Sequence, residues 1–167
     1  MVLFNLFNRK EIETYEKQLS VPNDHITLKS SYTDYTNASA VYYNGMEEIE
    51  SMWSVITNLG IYNTNESDIL INKCIKNIED LTTMLKCAKA IKYDSSYPPH
   101  VPAYVRLAML YEKREDYKSG IDICVEAIRH GAINDGSKGK MYGRLARLIK
   151  KSGIEPTQEI INMIDIQ

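Results

Sequence analysis

Residues 103–131, AYVRLAMLYEKREDYKSGIDICVEAIRHG, decide the fold of this chain. In both halves of the stretch, apolar or small residues recur about every three or four positions, which is the spacing of one face of an α-helix. The first set is Tyr104, Leu107, Ala108 and Tyr111, and the second is Gly120, Ile121, Cys124, Ala127 and Ile128. Charged residues 114–116 separate the two sets. The stretch therefore predicts two amphipathic helices joined by a tight turn.

The order of large and small residues indicates how closely the two helices pack. Ala108 and Gly120 have almost no side chain where antiparallel helices must come closest, whereas Tyr104, Leu107 and Tyr111 fill the wider gaps. This arrangement resembles one tetratricopeptide repeat (TPR), a 34-residue helix–turn–helix unit. The resemblance implies an all-α fold in which antiparallel helical hairpins stack as a short TPR-like α-solenoid, because a single repeat cannot bury its faces alone.

The best repeat, residues 103–132, has a candidate neighbour on each side. Residues 141–166 resemble a second repeat, with Tyr142, Leu145 and Ile149 in the corresponding places of its first helix. Residues 66–95 are either a degenerate third repeat or one long helix. Their apolar stripe from Ile71 to Ala88 contains no Gly or Pro, which favours one long helix.

The domain division predicted from the sequence places a TPR-like helical domain at 46–167 and a different segment at 1–45. Residues 46–59 form a good amphipathic helix, but residues 27–44 are rich in Tyr, Ser, Thr and Asn and contain few strong helix formers. We expect an N-terminal helix, followed by an irregular Tyr-rich segment. That segment is interpreted as an ordered loop or poor helix packed on the domain, with folding upon partner contact as the alternative.

Composition excludes several classes of function. The 167 residues carry a formal net charge of −2, which argues against a nucleic-acid partner. Cys74, Cys87 and Cys124 follow no zinc-binding spacing and lie on apolar stripes, so no metal or other cofactor is expected. The sequence shows no signal peptide and no apolar run long enough for a membrane span, so a cytoplasmic protein is predicted.

Catalytic chemistry is not indicated. His25, His100 and His130 are far apart and belong to no metal-binding or nucleophile motif. The chain has no Gly-rich phosphate loop, and the carboxylates near the turn at 114–116 are typical of a solvated surface. We therefore expect a protein that is not an enzyme.

The TPR resemblance implies a binding groove lined by the first helix of each repeat. The corresponding residues of this chain are Val105, Met109, Glu112, Lys113, Lys140, Arg144, Arg147 and Lys151. Lys140 and Arg144 lie one helical turn apart, similar to the Lys-x-x-x-Arg pair with which members of the family bind a C-terminal carboxylate. The asparagines that complete that site have no counterpart here. A carboxylate clamp, a more general acidic-peptide site and a merely solvated basic face therefore all remain open.

Three functions follow from these patterns. The first, which alone draws on the resemblance, is a non-enzymatic adaptor that binds a protein or peptide in the groove. The second is binding of RNA or a phosphorylated small ligand through the basic helix 138–151. The third is self-assembly into a homo-oligomer through the apolar N-terminus and the Ile-rich final helix.

Overall fold

A computed structural model describes residues 22–165 of the chain, and the side chains of residues 31–165. Within these residues it contains six helices and no strand, which confirms the all-α prediction for this part of the chain. The helices are α1 (Pro22–Leu59), α2 (Asn65–Ala90), α3 (Pro102–Lys113), α4 (Tyr117–Arg129), α5 (Lys140–Ser152) and α6 (Gln158–Asp165). The helix predicted nearest the N-terminus lies outside the described residues.

Local sequence accounts for several helix ends. Pro102 is the first residue of α3, where its missing N–H would have had no helical partner. The carboxylate of Asp116 accepts a hydrogen bond from the Ser119 N–H at 3.2 Å and so caps α4. Gly153 ends α5 with a φ of 66°, a left-handed conformation that glycine adopts without strain. The hairpin predicted from residues 103–131 is therefore confirmed, with its turn at 114–116.

Helix α1 corrects the prediction for the first part of the chain. It is one helix of 38 residues, so the Tyr-rich segment 27–44 is helical. Of the two forms expected for this segment, the packed helix is found and the irregular loop is wrong. The division proposed between residues 45 and 46 lies inside this helix. Tyr42, Ile49, Trp53 and Ile56 are all buried at helical spacing, and α1 packs extensively on α2. Burial of this apolar stripe outweighs the weak helix propensity of the Ser, Thr and Asn residues.

Helices α1 and α2 approach each other closely at a glycine. The Asn77 side chain of α2 is buried opposite Gly45, and its Nδ2 donates a hydrogen bond to the Tyr42 carbonyl at 2.8 Å. A Cβ at Gly45 would lie only 2.6 Å from that Nδ2. Helix α2 is continuous from 65 to 90, which confirms one long helix in place of a degenerate two-helix repeat.

Each helix packs against the next one along the chain, and α1 also contacts α3. The core between α3, α4 and α5 contains the small residues that the sequence singled out. Ala108 and Ala127 are fully buried, and Gly120 lies against Leu148 of α5, which a Cβ would approach to 3.2 Å. Helix α6 packs with half-buried side chains such as Met163. This packing brings one face of α5 next to the end of α3, where the charged residues of the candidate site meet.

Candidate binding site

A cluster of charged side chains joins the last turn of α3 to one face of α5. We call Glu112, Asp135, Arg144, Arg147 and Lys151 the charge cluster. Arg147 uses its Nε and Nη2 to donate to the two carboxylate oxygens of Glu112, both at 2.9 Å, and Lys151 Nζ donates to Oε1 at 2.9 Å. Arg144 Nη1 lies 3.4 Å from Glu112 Oε2. The three cations converge on one carboxylate because positions 144, 147 and 151 lie on the same face of a helix.

Arg144 has a second carboxylate that holds it in place. Its Nε and Nη2 each lie 3.0 Å from Oδ2 of Asp135, in the loop before α5. Asp135 also accepts hydrogen bonds from the Ser137 N–H and hydroxyl at 2.9 and 2.6 Å. The side chains of Arg144 and Asp135 are 10% and 1% exposed. This pair therefore fixes the loop to the helix and leaves Arg144 little capacity for another ligand.

The electrostatics of the cluster keep both carboxylates ionised. Hydrogen bonding from Arg147, opposed by partial burial and reinforced by Lys151, lowers the pKa of Glu112 to about 2. Burial alone would raise the pKa of Asp135, but the hydrogen bonds from Ser137 and the charge of Arg144 lower it. Two carboxylates and three cations leave the cluster with a net charge of +1.

Arg147 and Lys151 are the members of the cluster that reach solvent. Their side chains are 47% and 46% exposed, although both contact Glu112, which is 14% exposed. Lys138, Lys140 and Lys150 add positive charge on and beside α5, and none of the three has an ion pair with residues 31–165. The open side of the cluster is therefore positive.

The residues predicted to line a groove separate into two groups. Val105 is 3% exposed and offers no surface. Met109 is half-buried, and Lys113 Nζ lies 5.3 Å from the centre of the Tyr62 ring. The other predicted residues, Glu112, Arg144, Arg147 and Lys151, belong to the charge cluster. The pair proposed as a clamp does not present two free cations, since Lys140 is exposed but Arg144 is buried and ion-paired.

Helix α1 covers the beginning of the α3 face. Arg106 donates to both carboxylate oxygens of Glu50, through Nε at 2.9 Å and Nη2 at 2.6 Å. Its guanidinium carbon lies 5.5 Å from the centre of the Trp53 ring. Helical periodicity could not predict this contact, because Arg106 and Glu50 are 56 residues apart. Asp135 was also not among the predicted residues, although an Asp two residues before a Ser in a turn-rich stretch is typical of a side chain that organises its own loop.

The remaining reactive groups lie away from the charge cluster or are inaccessible. Burial raises the pKa of the thiols of Cys74 and Cys124 to about 12. Among residues 22–165, no group of side chains has the composition and proximity of a metal site. In that same part of the chain, no helix combines the length and apolar character needed to cross a bilayer.

Comparisons with protein-family models, with curated protein sequences and with solved structures found no match for this chain. Its function is therefore inferred from its own residues.

Proposed function

We propose that this chain is a non-enzymatic binding module with a TPR-like helical architecture, and that it binds an acidic segment of a protein partner at the charge cluster. The observation that supports this function most directly is the convergence of Arg147 and Lys151 on a carboxylate while both side chains remain about half exposed. A guanidinium fork and an ammonium, held by successive helical turns, match the geometry of carboxylate recognition.

The TPR-like part of the proposal draws on packing as well as on sequence pattern. Successive helices pack as hairpins, and ion pairs also join alternate helices, from Glu50 of α1 to Arg106 of α3 and from Glu112 of α3 to Arg147 of α5. Alternate helices of a solenoid share one face, and that face is where such proteins bind extended partners. Three free thiols within the described residues fit the reducing cytoplasm that we propose as its location.

An acidic peptide suits the cluster better than RNA does. Glu112 and Asp135 already neutralise two of its three cations, so a regularly spaced polyanion would meet carboxylates as well as lysines. Nucleic-acid affinity comes chiefly from many unopposed phosphate contacts. A short acidic segment instead needs only one or two cations that are held in a fixed geometry.

The test is affinity capture from the native lysate with three forms of the chain. These are the wild type, the double variant Arg147→Glu/Lys151→Glu, and a control, Lys86→Glu/Lys89→Glu, which makes the same charge change at exposed lysines of α2. We expect the wild type and the control to retain a protein that Arg147→Glu/Lys151→Glu loses. A synthetic acidic peptide from that protein should likewise bind the wild type and the control but not this variant. Circular dichroism must show that all three forms are folded. Equal retention by the three forms would contradict the proposal.

A further inference from the structure

We infer that Glu112 is an internal ligand of the binding site, and that an acidic partner binds by replacing the Glu112 carboxylate on Arg147 and Lys151. This inference rests on the proposed function and concerns how the same site is regulated. In the free protein, Glu112 occupies the position that a partner carboxylate would take. The site is therefore closed by a residue of its own chain and opens by exchange of one carboxylate for another.

The contacts of Glu112 are those of a bound carboxylate. Both of its oxygens accept hydrogen bonds, in a fork from Arg147 and singly from Lys151. Nothing else from the described residues holds the carboxylate apart from Arg144, which is 3.4 Å away. The same two cations that would hold a partner are thus the groups that hold Glu112.

The site would persist after Glu112 leaves. Arg144 is fixed by Asp135, at 3.0 Å from both Nε and Nη2, and this pair ties the preceding loop to α5. Arg147 and Lys151 project from the same helix and are anchored by its packing on α4. Replacement of Glu112 therefore needs only rotation of one side chain and no movement of a helix.

The position of Glu112 at the end of a helix favours its release on electrostatic grounds. It lies in the last turn of α3, next to the negative end of the helix dipole, which opposes a carboxylate there. The Arg147 and Lys151 contacts offset that repulsion. Once a partner carboxylate takes those contacts, Glu112 can turn to water, where its charge is solvated.

The size of the effect follows from like-charge repulsion. Two carboxylates about 5 Å apart, at an effective dielectric between about 40 and 80, repel by an energy that corresponds to roughly a fourfold to sixteenfold change in affinity. The variant Glu112→Gln keeps the shape of the side chain and removes its charge. We therefore expect this variant to bind an acidic peptide about fourfold to sixteenfold more tightly than the wild type does.

The experiment measures fluorescence polarisation of a labelled peptide of four Ser-Glu repeats at fixed ionic strength, with a Ser-Gln peptide as the uncharged probe. The proteins are the wild type, Glu112→Gln, Arg147→Glu/Lys151→Glu, and the control Glu48→Gln, which removes a lysine-paired carboxylate between α1 and α2. We expect tighter binding only for Glu112→Gln, an unchanged Kd for the control, and no binding of the Ser-Gln peptide.

The outcomes separate the two proposals. If Arg147→Glu/Lys151→Glu weakens binding but Glu112→Gln does not strengthen it, the internal-ligand inference is overturned and the proposed function stands. If neither change alters binding, the proposed function fails as well. Tighter binding of an octamer of deoxythymidine than of the Ser-Glu peptide, under the same conditions, would overturn carboxylate recognition.

A second measurement uses the wild type and so does not depend on the folding of a variant. The arginine Nε–H signals in a ¹⁵N-correlated NMR spectrum report each guanidinium separately. Addition of the Ser-Glu peptide is expected to shift the Arg147 signal and to leave the Arg144 signal in place, because Asp135 retains Arg144. A shift of Arg144 without one of Arg147 would overturn the inference.

Discussion

Replacement by alanine is expected to have opposite effects at two helical glycines. Only one of the two lies where α1 and α2 approach each other closely. Gly45 lies in α1 and Gly143 in α5, and neither has a positive φ. A Cβ at Gly45 would come within 2.6 Å of Asn77 Nδ2, whereas a Cβ at Gly143 would meet nothing within 4 Å. We therefore expect Gly45→Ala to destabilise the protein and Gly143→Ala to stabilise it.

The magnitudes follow from the contacts of Asn77. Alanine in place of glycine gains about 1 kcal/mol of helix propensity at either position. At Gly45 the Asn77 amide must rotate away, because its Nδ2 would lie only 2.6 Å from the new Cβ, and Nδ2 then loses the Tyr42 carbonyl. A buried donor left without a partner costs about 1–3 kcal/mol. The net destabilisation at Gly45 is therefore about 1 kcal/mol, and the two alanine variants should differ by about 2 kcal/mol.

The assay is urea unfolding followed by circular dichroism at 222 nm. The free energies of unfolding are compared between variants whose dependence on urea concentration has the same slope. A third variant, Asn77→Ala, provides the background in which Gly45→Ala meets no amide and should become stabilising. Such a change of sign is a coupling between two residues in direct contact. If Gly45→Ala alone raises the free energy of unfolding as much as Gly143→Ala does, the Asn77 amide does not lie close enough to Gly45 to oppose a Cβ there.

Four further predictions concern burial and charge. Arg114→Ala removes hydrogen bonds and an ion pair that tie the end of α3 to the start of α2, and should cost about 2–3 kcal/mol in urea unfolding. Arg129→Ala, which removes an exposed ion pair, should cost less than about 1 kcal/mol. Because the folded pKa of Glu112 is about 2, its stabilisation is present above its unfolded pKa and is lost as the pH falls from about 4.5 towards 2, a loss that Glu112→Gln should lack. The buried thiols of Cys74 and Cys124 should resist a thiol reagent in the native protein and react only in urea, whereas the third cysteine, which is half-buried, should react first.

The elements that the sequence predicted well are those whose contacts are close along the chain. The hairpin of α3 and α4 was readable because its apolar face and its small residues lie within about thirty residues. The single long helix α2 was readable because its stripe is unbroken. Both predictions rest on helical periodicity, which is a local property of the sequence.

An irregular segment was expected in the first part of α1 because weak helix propensity was given more weight than the helical periodicity of the apolar residues. Tyr42 lies seven residues before Ile49, and Ile49 seven before Ile56, so the buried stripe of the helix extends back into the Tyr-rich segment. Thr36, Asn37 and Asn44 are exposed on the remaining faces, whereas Ser39 is buried with the apolar stripe. Packing on α2 then decides the conformation, and no local feature of the segment reports that partner.

The candidate site shows a different limit of sequence reasoning. The cations of α5 were visible, and their spacing placed them on one helix. Their counter-charges come from Glu112, which is 32–39 residues away, and from Asp135 in the loop before α5. Helical spacing shows which side chains share a face but not which of them are buried, so Arg144 was predicted as a ligand-binding residue.

The two arginine–carboxylate forks of α3, Arg106 with Glu50 and Arg147 with Glu112, also differ in a way that bears on function. Arg106 is 23% exposed, because Trp53 lies against its guanidinium and the Glu50 carboxylate accepts hydrogen bonds from its Nε and Nη2. Arg147 makes an equivalent fork to Glu112, yet it is 47% exposed because nothing in residues 31–165 covers its outer side. A partner carboxylate can reach Arg147 from solvent, whereas it would reach Arg106 only if α1 and α3 separated. Exchange of one carboxylate for another is therefore possible at the end of α3 and not at its beginning, and neutralising Glu50 should lower stability without strengthening peptide binding.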